Sequence, residues 1–303
     1  MLVSSLVDLI GSTPMVELRR ISPSGTRILL KLEYLNPSGS HKDRIALYMI
    51  RDAMESGRLR EGGYVVEASS GNTAAAVALM AKLMGLRAVL AVPRDISWAK
   101  IAMLRALGAE IVFCSDNPSD PDYCPEVAKR VAEERGGVYL YQRGNPANAR
   151  AHYETTAAEI WRDTGGNIDA FVMGVGTGGT ITGIGKYLKE RKREIMVVAV
   201  TPKGSVLAGG KGEDTIEGLT SGSIPPLLDT SVIDKVVEVS TEEAKEGVKL
   251  LAEKEGILAG LSTGANIVAS IRVAEELGKG TIVTIAADSL LKYPELLKEL
   301  WGS

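Results

Sequence analysis

The sequence predicts an α/β chain built on two open, mostly parallel twisted sheets with flanking helices. Three observations predict it. Apolar runs of strand length alternate with amphipathic segments of helix length along most of the 303 residues. The runs are apolar on both faces, as in Ile28-Leu29-Leu30 and Tyr64-Val65-Val66, which suits strands covered by helices on each side. The alternation also starts afresh near residues 140–150, dividing the chain into two sheet units. A chain of this length has enough apolar surface for more than one core.

In order, Ile10-Gly11-Ser12-Thr13-Pro14-Met15-Val16 reads as a loop feeding a short strand. Residues 28–33 form a strand, Pro37 and Gly39 close a tight loop, and 43–56 form an amphipathic helix. Strand 64–68 leads to a helix of small residues at 74–83, then strand 87–92, helix 97–107 and strand 110–114. Helix 122–134 and strand 138–141 complete the first unit. The second unit has helix 149–163, strand 170–173, helix 180–191 and strand 196–201. Residues 202–226 are rich in Gly and Ser and irregular. Helices at 241–255 and 264–277 and a strand at 281–286 end the pattern. Ligands of open parallel sheets gather at the carboxyl ends of strands. Three distinctive loops follow strands here, so they are expected to line one cleft between the units.

Composition excludes several functions. Net charge is -3, with 35 Lys and Arg interleaved among 38 Asp and Glu, so there is no basic face for nucleic acid. No apolar run approaches the roughly 20 residues of a membrane span. Residues 1–7 lack the basic-then-apolar opening of a signal peptide, so a cytoplasmic protein is expected. The two histidines (His41, His152) and two cysteines (Cys114, Cys124) have no metal-ligand spacing, and no metal is expected. The simple expectation for the cysteines is two reduced thiols, a disulfide between them being the alternative.

Four loops carry chemistry. In Asn36-Pro37-Ser38-Gly39-Ser40-His41-Lys42-Asp43-Arg44, Lys42 sits at the mouth of a helix. A desolvated lysine there is an amine nucleophile, and a solvated first-turn lysine is the plainer alternative. Gly174-Val175-Gly176-Thr177-Gly178-Gly179-Thr180 lies between a strand and a helix start, where backbone N–H groups can enclose a phosphate. It lacks a P-loop lysine and an acidic ribose ligand downstream, so a phosphate monoester suits it better than a dinucleotide. A plain tight turn fits the same glycines. Ser69-Ser70-Gly71-Asn72-Thr73 offers hydroxyls, an amide and N–H donors to a carboxylate or a ring oxygen. In Gly260-Leu261-Ser262-Thr263-Gly264, Ser262 serves either a ring nitrogen or as a helix cap. One lysine, one phosphate cup and one carboxylate cup together describe a pyridoxal-phosphate site.

These motifs occur in one order, from Gly11-Ser12-Thr13-Pro14 through Asn145-Pro146-Ala147-Asn148 and His152-Tyr153 to Gly264. In that order, nearly the whole chain resembles the cysteine synthase family of fold-type-II enzymes, with a tryptophan synthase β-like architecture. The resemblance implies pyridoxal 5'-phosphate as cofactor and Lys42 as the residue that binds it covalently and moves the substrate α-proton. It implies Asn72 at the ring hydroxyl oxygen, Gly176, Thr177, Gly178, Gly179 and Thr180 around the phosphate, and Ser262 at the pyridine nitrogen. Ser69, Ser70, Gly71, Thr73 and Gln142 match the positions that bind the substrate carboxylate. It further implies a smaller, mobile domain at 37–141, a larger one at 1–36 and 142–303, and an active site in the cleft between them. A homodimer is implied, with a serine acetyltransferase tail as a candidate partner. The implied reaction is β-replacement: O-phosphoserine or O-acetylserine loses its β-substituent, and sulfide adds to the aminoacrylate to give L-cysteine.

Three positions depart from the family's usual pattern. His41 stands where an apolar residue is usual, for packing or as a titratable neighbour of Lys42. Arg143 stands where an aromatic is common, and it either grips a leaving phosphate or is a solvated surface residue. Residues 215–225 differ from the acetylserine enzymes, with Lys203 and Lys211 nearby as further phosphate contacts. Cystathionine β-synthase or serine/threonine dehydratase chemistry is the alternative within the class. A non-catalytic binding or scaffold protein is the alternative outside it, and an intact Lys42 argues against that.

Overall fold

The computed structural model describes residues 2–302. In chain order it runs β1 (Met15–Glu17), β2 (Thr26–Leu32), α1 (Lys42–Glu55), β3 (Tyr64–Ala68), α2 (Asn72–Leu83), β4 (Arg87–Pro93) and α3 (Trp98–Ala106). Then come β5 (Glu110–Cys114), α4 (Cys124–Glu134), β6 (Val138–Tyr139), α5 (Pro146–Ala151), α6 (Ala157–Thr164), β7 (Ala170–Gly174) and α7 (Gly179–Arg191). The chain closes with β8 (Met196–Pro202), β9 (Lys235–Val239), α8 (Thr241–Leu250), α9 (Leu261–Leu277), β10 (Gly280–Ala286) and α10 (Pro294–Trp301). It divides into two compact units. One holds the residues up to Ile10 together with Asn36–Asn148, the other Gly11–Leu35 and the chain from Ala149 onward.

The first unit is a four-stranded sheet in the order β5-β4-β3-β6, parallel throughout. Val65, Val66, Val89 and Leu90 have no exposed surface, as the doubly apolar runs predicted. On α2, the alanines 74, 75, 76, 78 and 81 are buried and allow a close helix–sheet contact. The expected strand at 138–141 stops at Tyr139 because Tyr141 turns out of the ladder with φ +52°.

The expectation of two reduced thiols does not hold. Cys114 and Cys124 form a disulfide, with S–S 2.14 Å and Cα–Cα 5.0 Å. The reason is a fold-back that sequence spacing does not reveal. The Ser115 N–H donates to the Asp122 carbonyl and the Cys124 N–H to the Ser115 carbonyl, each at 2.8 Å. The end of β5 thereby meets the start of α4, and both cysteines are buried.

The second unit is a six-stranded sheet in the order β1-β2-β10-β7-β8-β9, with β1 antiparallel to β2 and all other neighbours parallel. Ile28, Leu30, Val172, Val198, Val200 and Ile282 are fully buried in it. Helix α9 packs on this core, and α8 lies against α9 so closely that a Cβ on Gly264 would sit 2.0 Å from the Ala244 carbonyl oxygen. Two helices expected to be continuous contain π-helical turns, at His152–Thr156 and Leu251–Glu255. Strand β9 and helix α10 add to the elements expected. The N-terminal motif is tied down by a buried cation. Lys31, with no exposed surface, places Nζ 2.8 Å from Glu159 Oε2 and 2.6 Å from the Thr13 carbonyl oxygen. Glu159 Oε1 accepts the Ser12 N–H at 2.9 Å, fixing Ser12 at φ +48°.

Candidate active site

In the first unit, Lys42 is the first residue of α1, as the Pro37–Gly39 turn requires. The Gly39 N–H donates to the Asn36 carbonyl at 2.8 Å, and Gly39 takes φ +81°. Asp43 is fully buried and accepts the Ser38 N–H at 2.7 Å as well as the Ser38 hydroxyl, closing the loop around the lysine. The Lys42 N–H donates to Ser40 Oγ at 3.3 Å. His41 is buried at the N-cap position and makes no capping hydrogen bond through its side chain.

Ser69-Ser70-Gly71 lie between β3 and α2, and Asn72 and Thr73 open α2. Gly71 is the N-cap, and no side chain caps the helix, which leaves first-turn N–H groups without an intrahelical acceptor. A Cβ on Gly71 would meet nothing within 4 Å, so open space lies over this start. Thr73 is buried, and its Oγ1 donates to Gln142 Oε1 at 2.6 Å. The structure therefore joins two predicted carboxylate-site residues that lie far apart in the chain. Arg143 follows Gln142, half-buried.

In this region Glu67 and Tyr139 were not singled out from sequence, and Asn148 was quoted only as part of its motif, without a role. Glu67, on β3, is 1% exposed and accepts the Ala68 N–H at 3.0 Å and the Gln142 N–H at 3.1 Å. Burial pushes its carboxyl up to about 8 despite these two N–H donors. Tyr139 beside it is pushed upward too, by burial and then by the Glu67 charge, so its hydroxyl stays neutral. Asn148 Nδ2 donates to the Gln142 carbonyl at 2.9 Å. A lone acid inside Tyr64-Val65-Val66-Glu67-Ala68 was the one available signal.

In the second unit, the glycine loop joins β7 to α7. Gly178 is the N-cap of the 13-residue α7 and adopts φ +85°, with its side chain position closed off: a Cβ there would lie 2.8 Å from Leu228. A Cβ on Gly176 would lie 2.5 Å from the Gly218 carbonyl oxygen, so only glycine admits that loop. The Gly174 N–H donates to Asn266 Oδ1 at 2.8 Å, and Asn266 Nδ2 donates to the Ile285 carbonyl at 3.0 Å, fixing the end of β7. Thr177 and Thr180 are buried, and Thr180 Oγ1 lies 3.2 Å from Nε2 of the buried His152. No acidic side chain lies within residues 174–180. Backbone donors, hydroxyls and the positive helix end suit a phosphate dianion. Ser262 is buried near the start of α9, with Oγ 3.9 Å from where a Gly218 side chain would begin. The structure thus brings the loop at 174–180, Gly218 and Ser262 together.

The family model described as "Pyridoxal-phosphate dependent enzyme" matches residues 6–288. The chain belongs to the pyridoxal-phosphate dependent enzyme family. Among curated relatives of this family, the cysteine synthase of Staphylococcus aureus is 40% identical over 296 residues, covering 96% of this chain and 95% of its own. Cysteine synthase 1 of Emericella nidulans is 41% identical over 315 residues, covering 97% and 84%. Among solved structures, O-ureido-L-serine synthase superposes with a TM-score of 0.92 at 36% identity, covering 97% of this chain and 94% of its own. Cysteine synthase from Entamoeba histolytica gives 0.91 at 33% identity, covering 100% and 96%. A hydrogen sulfide-producing enzyme of Fusobacterium nucleatum gives 0.91 at 35% identity, covering 97% and 98%. The fold is fold type II of the pyridoxal-phosphate dependent enzymes, and the cofactor is pyridoxal phosphate.

Proposed function

We propose that this chain catalyses β-replacement on an O-activated serine, with sulfide as second substrate and L-cysteine as product. The observation that carries the reading is the Thr73–Gln142 hydrogen bond. It joins the two segments that the carboxylate assignment needs, in a chain of which 96% aligns with a cysteine synthase. When bound, pyridoxal phosphate supplies the electron sink that makes the α-carbon of an attached amino acid acidic. Lys42 would hold it through Nζ and, once released, take the α-proton and return it. Gly176, Thr177, Gly178, Gly179 and Thr180 would hold the phosphate, Asn72 the ring oxygen and Ser262 the ring nitrogen. Ser69, Ser70, Gly71, Thr73 and Gln142 would bind the substrate carboxylate. Arg143 would grip a leaving phosphate with paired N–H donors, favouring O-phosphoserine over O-acetylserine. The same reading extends to a cytoplasmic homodimer with a serine acetyltransferase tail as a candidate partner.

The test is steady-state cysteine formation from O-phosphoserine and from O-acetylserine, side by side, with sulfide in excess. Cysteine is expected from at least one of them, and Arg143→Ala is expected to lower kcat/KM for O-phosphoserine about tenfold more than for O-acetylserine. An unchanged ratio removes Arg143 from the proposal. Release of a keto acid without any cysteine would replace β-replacement with dehydration.

A further inference from the structure

We propose that Glu67 is the positioning residue of the substrate-carboxylate subsite, anchoring both segments of that subsite through one buried carboxyl group. The inference rests on the reading of Ser69, Ser70, Thr73 and Gln142 as that subsite.

A carboxyl group buried in a parallel sheet, charged or neutral, costs free energy unless its oxygens are hydrogen-bonded. Glu67 meets that condition with two backbone donors from separate segments. Oε1 takes the N–H of Ala68, the residue before the Ser69–Thr73 loop. Oε2 takes the N–H of Gln142. That N–H needs such an acceptor because Tyr141, at φ +52°, has carried the chain out of the sheet ladder. The turn that follows is held at several further points. The Gly144 and Asn145 N–H groups donate to the Tyr141 carbonyl at 3.0 and 2.9 Å, and Asn145 Nδ2 donates to the Leu140 carbonyl at 2.7 Å. Any side chain at Gly144 would begin 2.3 Å from the Tyr141 ring. A non-glycine residue with positive φ persists only where its surroundings hold it, and such strain collects at ligand sites.

The consequence falls on the Gln142 side chain. Its N–H is held by Glu67, its carbonyl by Asn148, and its Oε1 by the Thr73 hydroxyl. With the acceptor end of the amide engaged, Nε2 is the end left to face a ligand, and an amide N–H pair suits a carboxylate. Glu67 thus sets the orientation of a donor it does not itself carry, and through Ala68 it fixes where the loop of hydroxyls and N–H groups begins.

The experiment titrates the holoenzyme by calorimetry with L-alanine, a non-reacting amino acid, and with L-alaninamide, which lacks the carboxylate. Glu67→Gln keeps the shape but puts an NH2 group, which cannot accept a hydrogen bond, in place of one of the two oxygens. It is expected to weaken L-alanine binding about tenfold and leave L-alaninamide binding unchanged, with cofactor content and near-UV circular dichroism as in the parent. Equal weakening of both ligands, or of neither, overturns the proposal. If Glu67→Gln does not fold, Glu67→Asp, which shortens the reach by one methylene, is judged by the same criterion. Gln142→Ala separates the two levels. If it leaves L-alanine binding intact, the carboxylate reading itself is wrong. If it weakens L-alanine but Glu67→Gln does not, only the role of Glu67 falls.

Discussion

Glu67 also makes a prediction about stability. Its carboxyl stands at about 8 in the folded chain against an ordinary 4.5, because burial penalises the charge. The folded state therefore holds a proton that the unfolded state has lost. The stability this gives is fully present below about 4.5 and is lost as pH rises through about 8, at up to about 1.4 kcal/mol per pH unit. Tyr139 stays neutral across that window and adds no slope. Urea unfolding between pH 5 and 9 is expected to show the parent losing stability relative to Glu67→Gln up to about pH 8 and then running parallel to it. Parallel curves over the whole range would mean that Glu67 is ionised throughout.

At the scale of elements, the disulfide joins the last residue of β5 to the first of α4 across a separation of 10 residues. Closing a loop of that length restricts the unfolded chain, a contribution of about 2–3 kcal/mol. Replacing both cysteines with alanine is expected to lower the unfolding free energy by about that amount, measured by urea denaturation without reductant. A change under about 0.5 kcal/mol would show that the link restricts little. The site lies on elements that the bridge does not enter, so kcat is expected to change less than twofold. The packing of α8 on α9 through Gly264 is a second constraint of this kind. It fixes the height of α9 on its core, and with it Ser262, two residues earlier.

At the scale of the molecule, the cofactor is a ligand of the folded chain. A ligand that binds the folded chain alone stabilises it by mass action, by about 2.7 kcal/mol at a hundredfold excess over Kd. Stripping pyridoxal phosphate is therefore expected to lower Tm by several degrees and restoring it to recover the loss, followed by scanning calorimetry. Lys42→Ala is expected to keep part of this stabilisation, through the phosphate contacts, while losing at least about a thousandfold in cysteine formation. A Tm that ignores the cofactor in both proteins would mean that neither binds it.

Local patterns carried much of this. Strand 64–68 and strand 110–114 were legible to the residue because apolar runs and their Gly breakers act over a few positions. The glycine loop at 174–180 and the Lys42 turn were legible for the same reason. Strand β9 was not, because Lys235-Val236-Val237-Glu238-Val239 follows an irregular stretch and is a strand only by pairing with β8. The π turn at His152–Thr156 was hidden inside a good helical pattern. By itself the sequence determined the α/β class and the place of each loop between a strand and a helix, since both follow from short-range periodicity and residue type. Only the tertiary structure decided that Glu67 meets Gln142, that Thr73 meets Gln142 and that Cys114 meets Cys124. Those pairings depend on how the chain returns to itself, and no periodicity along the sequence records that path.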